Sequence, residues 1–189
     1  MLVIIGAKHN GEKELLVISD GVRESETSWK DLLLELRNRG MESDPKLAIA
    51  DGGPGFWKAP PQVFSTTKQQ RCWVHKTRKV LDKLLKKMRP RAKTLIHDIY
   101  LAETKRNTER AFEHFCESYR DKYPKAVDCL EGDREDLMRF YEFPGAHWKH
   151  IGSTNVSENV FATVRLRTYK TKGLGTRTVT LAMAFKLAK

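Results

Sequence analysis

A chain of 189 residues is long enough for one domain with a real core and for a subdomain inserted into it. With 40% hydrophobic and 31% charged residues it is globular, and a formal net charge of +11 favours a polyanionic partner, nucleic acid being the commonest. No stretch reaches the apolar length a membrane span needs, "MLVIIGAKHNG" lacks the basic start and cleavage site of a signal peptide, and Cys72, Cys116 and Cys129 make no even disulfide framework, so a reducing cytoplasm is expected.

In chain order, "LVIIGA" and "KELLVIS" are β-rich runs. Asn10-Gly11 between them signals a hairpin, because both residues tolerate the positive φ of a tight turn. "SETSWKDLLLELRNRG" reads as a helix: Trp29, Leu32, Leu33 and Leu36 fall at i, i+3, i+4 and i+7, Ser or Thr caps the start, and Gly40 ends it. "PKLAIA" is a short buried strand that stops at Asp51, where "GGPG" forces a turn. A further strand is expected near Lys68–Trp73, in one sheet with the hairpin and the strand before Asp51.

From Thr66 to Lys93 there are eleven Lys or Arg against one acid, Asp82. "VHKTRKVLDKLLKKM" places Val80, Leu81, Leu84, Leu85 and Met88 on one face and reads as an amphipathic basic helix. From about His75 to Phe143 the pattern is helical throughout, in pieces broken at Pro124, Gly132 and Pro144. The last segment, "STNVSENVFATVRLRT" onward, predicts a basic helix with one carboxylate; after Glu158 come seven Lys or Arg and no acid. The fold class is therefore α/β, a β-hairpin, helix, strands and C-terminal helices interrupted by an all-α insertion.

Asp51 ends a predicted strand and Glu158 opens a predicted helix. Such a pair supplies the hard oxygens that hold Mg²⁺ for phosphoryl transfer. Asp before Gly is also an ordinary turn residue, and a first-turn Glu simply favours a helix's positive end. "RCWVHK" contains Cys72 and His75 as Cys-x-x-His. With His147 and His150 of "HWKH" they could make a four-ligand zinc site; the other reading is a packed cysteine beside a hydrogen-bonded histidine. Cys116 and Cys129 read as core fillers. Trp57, Trp73 and Trp148 are candidates for stacking on bases, Trp148 first for its basic neighbours; the alternative is anchoring in the core. Arg165, Arg167, Lys170 and Lys172 read as a track for DNA phosphates.

"LAIADGGPGFW", "QRCWVHKTRKVLDKL", "AETKRNTERAFEHFCESYRDKYPKAVDCL" and "HWKHIGSTNVSENVFATVRLRTYKTKG" together resemble the mutator-type transposases of bacterial insertion sequences, in order and over essentially the whole chain. The resemblance implies a ribonuclease-H-like core with an Asp-Asp-Glu site for Mg²⁺ or Mn²⁺, in which a helical insertion separates the second Asp from the Glu. Asp51 matches the second acid and Glu158 the third, with Val156 where the family carries Pro. Pro60-Pro61 interrupts the family's short helix after "GFW". Cys72 and His75 match a family signature of unassigned role. The implied division is residues 1–74 for the first part of the core, 75–147 for the insertion and 148–189 for the part bearing Glu158. The family's first Asp lies on a strand before the hairpin, ahead of Met1, and Asp20 is no substitute for it. The expectations are a bacterial, nucleoid-associated protein that meets double-stranded DNA at transposon ends and target and assembles with copies of itself. Its family reaction is strand cleavage followed by 3′-OH strand transfer. The isolated chain is expected to bind DNA without cutting it.

Overall fold

The computed structural model describes residues 2–8, 10–22 and 25–154, together with Leu166, Tyr169, Thr176, Val179, Ala182, Met183, Phe185 and Lys186. The chain divides into two units. The first comprises Met1–Ala48, Gly53–Thr67 and Thr154–Lys189, the second Ile49–Gly52 and Lys68–Ser153.

In the first unit β1 (Leu2–Ala7) and β2 (Lys13–Ser19) form an antiparallel hairpin with Leu2 opposite Ser19 and Ile4 opposite Val17, and a bulge after Ile4. Its connection carries the turn that Asn10-Gly11 signals. The Lys8 amide donates to the Glu12 carbonyl at 2.9 Å, Asn10 Oδ1 accepts from the Glu12 amide at 3.0 Å, and Gly11 takes φ 85°. Asn10 thus closes the loop with its side chain. Helix α1 (Glu26–Asn38) starts where Ser25 Oγ accepts from the Ser28 amide at 3.2 Å. It ends at Gly40, φ 103°, where the Gly40 amide bonds the Arg37 carbonyl and the Met41 amide the Leu36 carbonyl, a Schellman ending. Its face of Leu32, Leu33 and Leu36 packs with Leu2, Val17, Ala59 and Phe64. Two short helices complete that core, α2 (Pro54–Lys58) and α3 (Pro60–Val63). Pro60 sits in the first turn of α3, where its missing N–H costs nothing, so the chain restarts a helix after Ala59.

Strand β3 (Leu47–Ala50) leads into the second unit and pairs with β4 (Lys68–Arg71). The strands expected in one sheet are therefore two separate pairs, β1–β2 and β3–β4. The reason is that among the described residues no strand hydrogen-bonds to both pairs.

Helix α4 (Trp73–Leu81) stops short of the long basic helix predicted through Met88. The amides of Lys83 and Leu84 reach back only three residues, and a 3₁₀ turn at Lys86–Met88 precedes α5 (Arg89–Tyr100). Pro90, which has no N–H for the Lys86 carbonyl, sits in the first turn of α5, where none is needed. Leu85, expected on the apolar face, is 59% exposed. Beyond it lie α6 (Lys105–Tyr119), α7 (Pro124–Glu131), α8 (Arg134–Met138), 3₁₀ turns and α9 (Trp148–Ile151), with no strand between Pro90 and Phe143, as the periodicity predicts. Ile96, Phe112, Phe115, Val127, Leu130 and Phe140 form their core. Gln70 is fully buried at its edge: Nε2 donates to the Leu137 carbonyl at 3.1 Å and Oε1 accepts from the Phe140 amide at 2.8 Å. Lys76 is 7% exposed; its ammonium donates to the Cys129 carbonyl at 2.7 Å and pairs with Asp133.

Candidate nucleic-acid site

Two consecutive amides organise the candidate site. At the start of α4 the Cys72 amide donates to the carbonyl of Ala50, the residue before Asp51, at 2.9 Å. The next amide, of Trp73, donates to the Gly152 carbonyl at 3.0 Å. The end of β3 and the approach to Glu158 are thus tied to one short stretch of backbone. Glu158 itself lies outside the described residues, as do Arg165, Arg167, Lys170 and Lys172, and with them the predicted pairing of Asp51 with Glu158.

Gly52 takes φ +77°, which strains any other residue, and its missing side chain leaves room for two cations. A Cβ there would lie 2.9 Å from Lys79 Nζ and 3.1 Å from Arg71 Nη1. Arg71 is itself oriented from behind, with its Nε 3.8 Å from Asp133 and 3.9 Å from Asp136. An ammonium and a guanidinium against the peptide after Asp51 suit phosphate oxygens. Sequence reasoning passed over Arg71 and Lys79, two of eleven cations in one run; the glycine pair after Asp51 was the only signal of where they converge. Among the described residues no three His, Cys, Asp or Glu side chains converge on a point that would hold a metal ion. Asp51 is a hard oxygen donor of the right chemistry, but the described residues do not complete a divalent-ion site around it.

Cys72 is 2% exposed and its Sγ lies 3.2 Å from His75 Nδ1. His147 and His150 are exposed. This geometry favours the packed cysteine with its hydrogen-bonded histidine over the four-ligand zinc site. Cys116 is buried and Cys129 half-buried in the second unit, as expected of core fillers. Trp57 and Trp73 are buried and present no face to a base. Trp148 is half-buried; its Nε1 donates to the Phe143 carbonyl at 2.7 Å, and Tyr141 meets its ring edge-on at 4.6 Å. Its place is that of an anchor with part of the ring still open.

Comparison with known proteins decides the lineage. The model of the family described as "Transposase, Mutator family" matches residues 1–179. The chain belongs to the Mutator transposase family. It is 47% identical over 99% of its length to the transposase for insertion sequence element IST2 of Acidithiobacillus ferrooxidans, covering 63% of that protein. It is 49% identical over 99% of its length to the transposase for IS6120 of Mycolicibacterium smegmatis, covering 58% of it. With the transposase for IS905 of Lactococcus lactis it shares 30% identity over 89% of its length, covering 42%. This Mutator-family chain therefore spans roughly three fifths of the first two relatives. Among its described residues no helix is long and apolar enough to cross a membrane.

Proposed function

We propose that this Mutator-family chain is part of the DNA-cleaving core of an insertion-sequence transposase. In this reading residues 1–74 and 148–189 belong to a ribonuclease-H-like core and 75–147 are its helical insertion. Asp51 and Glu158 would hold Mg²⁺ or Mn²⁺, which when bound would assist attack on a DNA phosphodiester. Arg71 and Lys79, against Gly52, would hold phosphate, and Arg165, Arg167, Lys170 and Lys172 would supply further phosphate contacts. The observation that carries the reading is the pair of adjacent amides, Cys72 and Trp73, which ties the residue before Asp51 and the stretch before Glu158 to one short piece of backbone.

A second reading is DNA binding without catalysis by this chain alone. It is favoured by the two cations, Lys79 and Arg71, that stand against the peptide after Asp51.

Duplex binding at rising salt and cleavage assays separate the two. Neutralising six or more phosphates makes affinity fall by about 10³ or more between 50 and 200 mM salt. A chain extended upstream by the family's first strand and its Asp is expected to nick transposon-end DNA with Mg²⁺, and to lose that activity on Glu158→Gln or Asp51→Asn. Nicking that survives both substitutions overturns the site. Salt-independent binding, or none at low salt, overturns both readings.

A further inference from the structure

Between α4 and α5 lies a cavity of about 370 Å³ that includes neither Asp51 nor Gly52. That volume is within the roughly 300–1,000 Å³ of small-ligand sites. Its lining is mixed. It includes Arg78 from α4 and Arg89 and Lys93 from α5, with Asp82 as the lining carboxylate. Asp82 lies 3.7 Å from Arg89. Among the described residues no carboxylate is within ion-pair distance of Arg78 or Lys93. At the end nearer Trp73 are Val74, His97 and the ring of Tyr100, which is stacked on Trp73 at 5.3 Å between centroids and met edge-on by His97; Leu81 lies at the other end, next to Asp82. Thr77 also lines the cavity; it is 7% exposed, and its Oγ1 has no hydrogen-bond partner among the described residues. Helical Thr divides between two χ1 rotamers, so one rotation offers that hydroxyl to a ligand.

We infer that this cavity binds one nucleotide unit, its phosphate on Arg78, Lys93 and Thr77 and its base against Tyr100 and Val74. An excess of cation over carboxylate, a guanidinium fork and a hydroxyl donor form a phosphate-binding set. The apolar part of the lining is what inorganic phosphate would not use and a base would. The unit comes either from a strand of DNA with that nucleotide unpaired or from a free nucleotide. The inference stands apart from metal-dependent cleavage at Asp51, because its test reads binding alone.

The test measures a labelled twenty-base single strand by anisotropy across 50–200 mM salt, and thymidine 5′-monophosphate and inorganic phosphate by calorimetry, all on the full chain. Arg78→Gln with Lys93→Gln is expected to weaken the single strand at least tenfold. It should also lower the slope of log affinity against log salt by about 1.4, the loss of two phosphate contacts on a single strand. The charge-matched pair Lys122→Gln with Lys125→Gln, both exposed in the same unit, should change affinity less than twofold. Thymidine monophosphate should bind at least tenfold tighter than phosphate and lose binding in the first variant. Tighter binding of the strand than of the monophosphate assigns the unit to DNA; equal binding assigns it to a free nucleotide. Lys93 is exposed, so Lys93→Gln alone, expected to cost severalfold, serves if the double variant does not fold. Equal losses in the two charge pairs, equal binding of phosphate and nucleotide, or no binding of either overturns the inference.

Discussion

The two units bury different kinds of side chain. The first fills its core with Leu2, Val17, Leu32, Leu33, Leu36 and Phe64 and leaves its polar network at the edge. There Arg37 pairs with Asp44 and stacks over Phe64 at 4.6 Å, while Asp44 accepts from the Thr66 amide at 2.9 Å. The second buries Gln70, Lys76, Thr77 and Thr108 among its apolar residues, and no residue of the described first unit is a buried polar one. Gln70 bridges to Leu137 and Phe140, and Lys76 to Cys129 and Asp133. The difference teaches where pairing specificity comes from. A hairpin and an adjoining capped helix find each other through local signals. Helices joined across dozens of residues need buried polar contacts, which are satisfied in one arrangement and orphaned in others.

The strongest way to break this comparison is to cut each core. Phe112→Ala, at a fully buried position, should cost about 3–5 kcal/mol, and Leu32→Ala in the other unit about 2–5 kcal/mol. Urea unfolding followed by far-UV circular dichroism should show each variant shifting a different part of the transition. Identical shifts of one transition would mean that the two units unfold as one.

A sharper probe is Gln70→Ala, expected to cost about 1–3 kcal/mol because the Phe140 amide loses its partner in a buried place, while the Leu137 carbonyl keeps the Trp73 indole N–H at 2.9 Å. Gln70→Leu should not rescue it. A loss under about 0.5 kcal/mol would remove Gln70 from the argument.

Gly52→Ala is next, at about 1–2 kcal/mol for a strained positive φ. The new methyl must displace Lys79 or Arg71, so duplex binding at 50 mM salt should weaken severalfold. An unchanged affinity with the expected loss of stability would take those two cations away from phosphate.

The smallest effect is at Asp44. The Thr66 amide and hydroxyl, and then Arg37, hold its carboxyl below the usual carboxylate range. The unfolded chain therefore takes up that proton at higher pH than the folded one. The resulting stability is present above about pH 4, the ordinary value, and is lost as pH falls through the lowered folded value. Asp44→Asn should lower the melting temperature slightly at neutral pH and leave it nearly unchanged at the acid end, so that the acid limb flattens, as read from melting temperatures between pH 2 and 7.

What the sequence made legible follows the same division. The hairpin, the capped α1 and β3 could be placed to within a few residues, because turn, cap and period are written next to the residues they act on. The break after Leu81 was hidden by an unbroken apolar stripe over Val80, Leu84 and Leu85, and Pro90 limits only a helix that runs on past Lys86. The separation of the two strand pairs had no local sign, since pairing is a property of neighbours distant in sequence. At the candidate site Asp51 was readable as a carboxylate at a strand end. Arg71 and Lys79 were not, because only the path of the chain selects two cations from a run of eleven. The amide tie between Cys72, Trp73, Ala50 and Gly152 is backbone chemistry and leaves no trace in residue types.

The placement of the thiols gives the protein an internal clock. All three cysteines belong to the second unit, and burial pushes the Cys116 thiol up to about 12, so it is a protonated and unreactive group near neutral pH. Cys72 is sealed at the start of α4, while Cys129 is half-buried. An alkylating reagent therefore meets Cys129 first and reaches Cys72 and Cys116 only when the helices part. The rate at which those two are modified times the opening of the second unit, while the first can open and close without leaving a chemical mark.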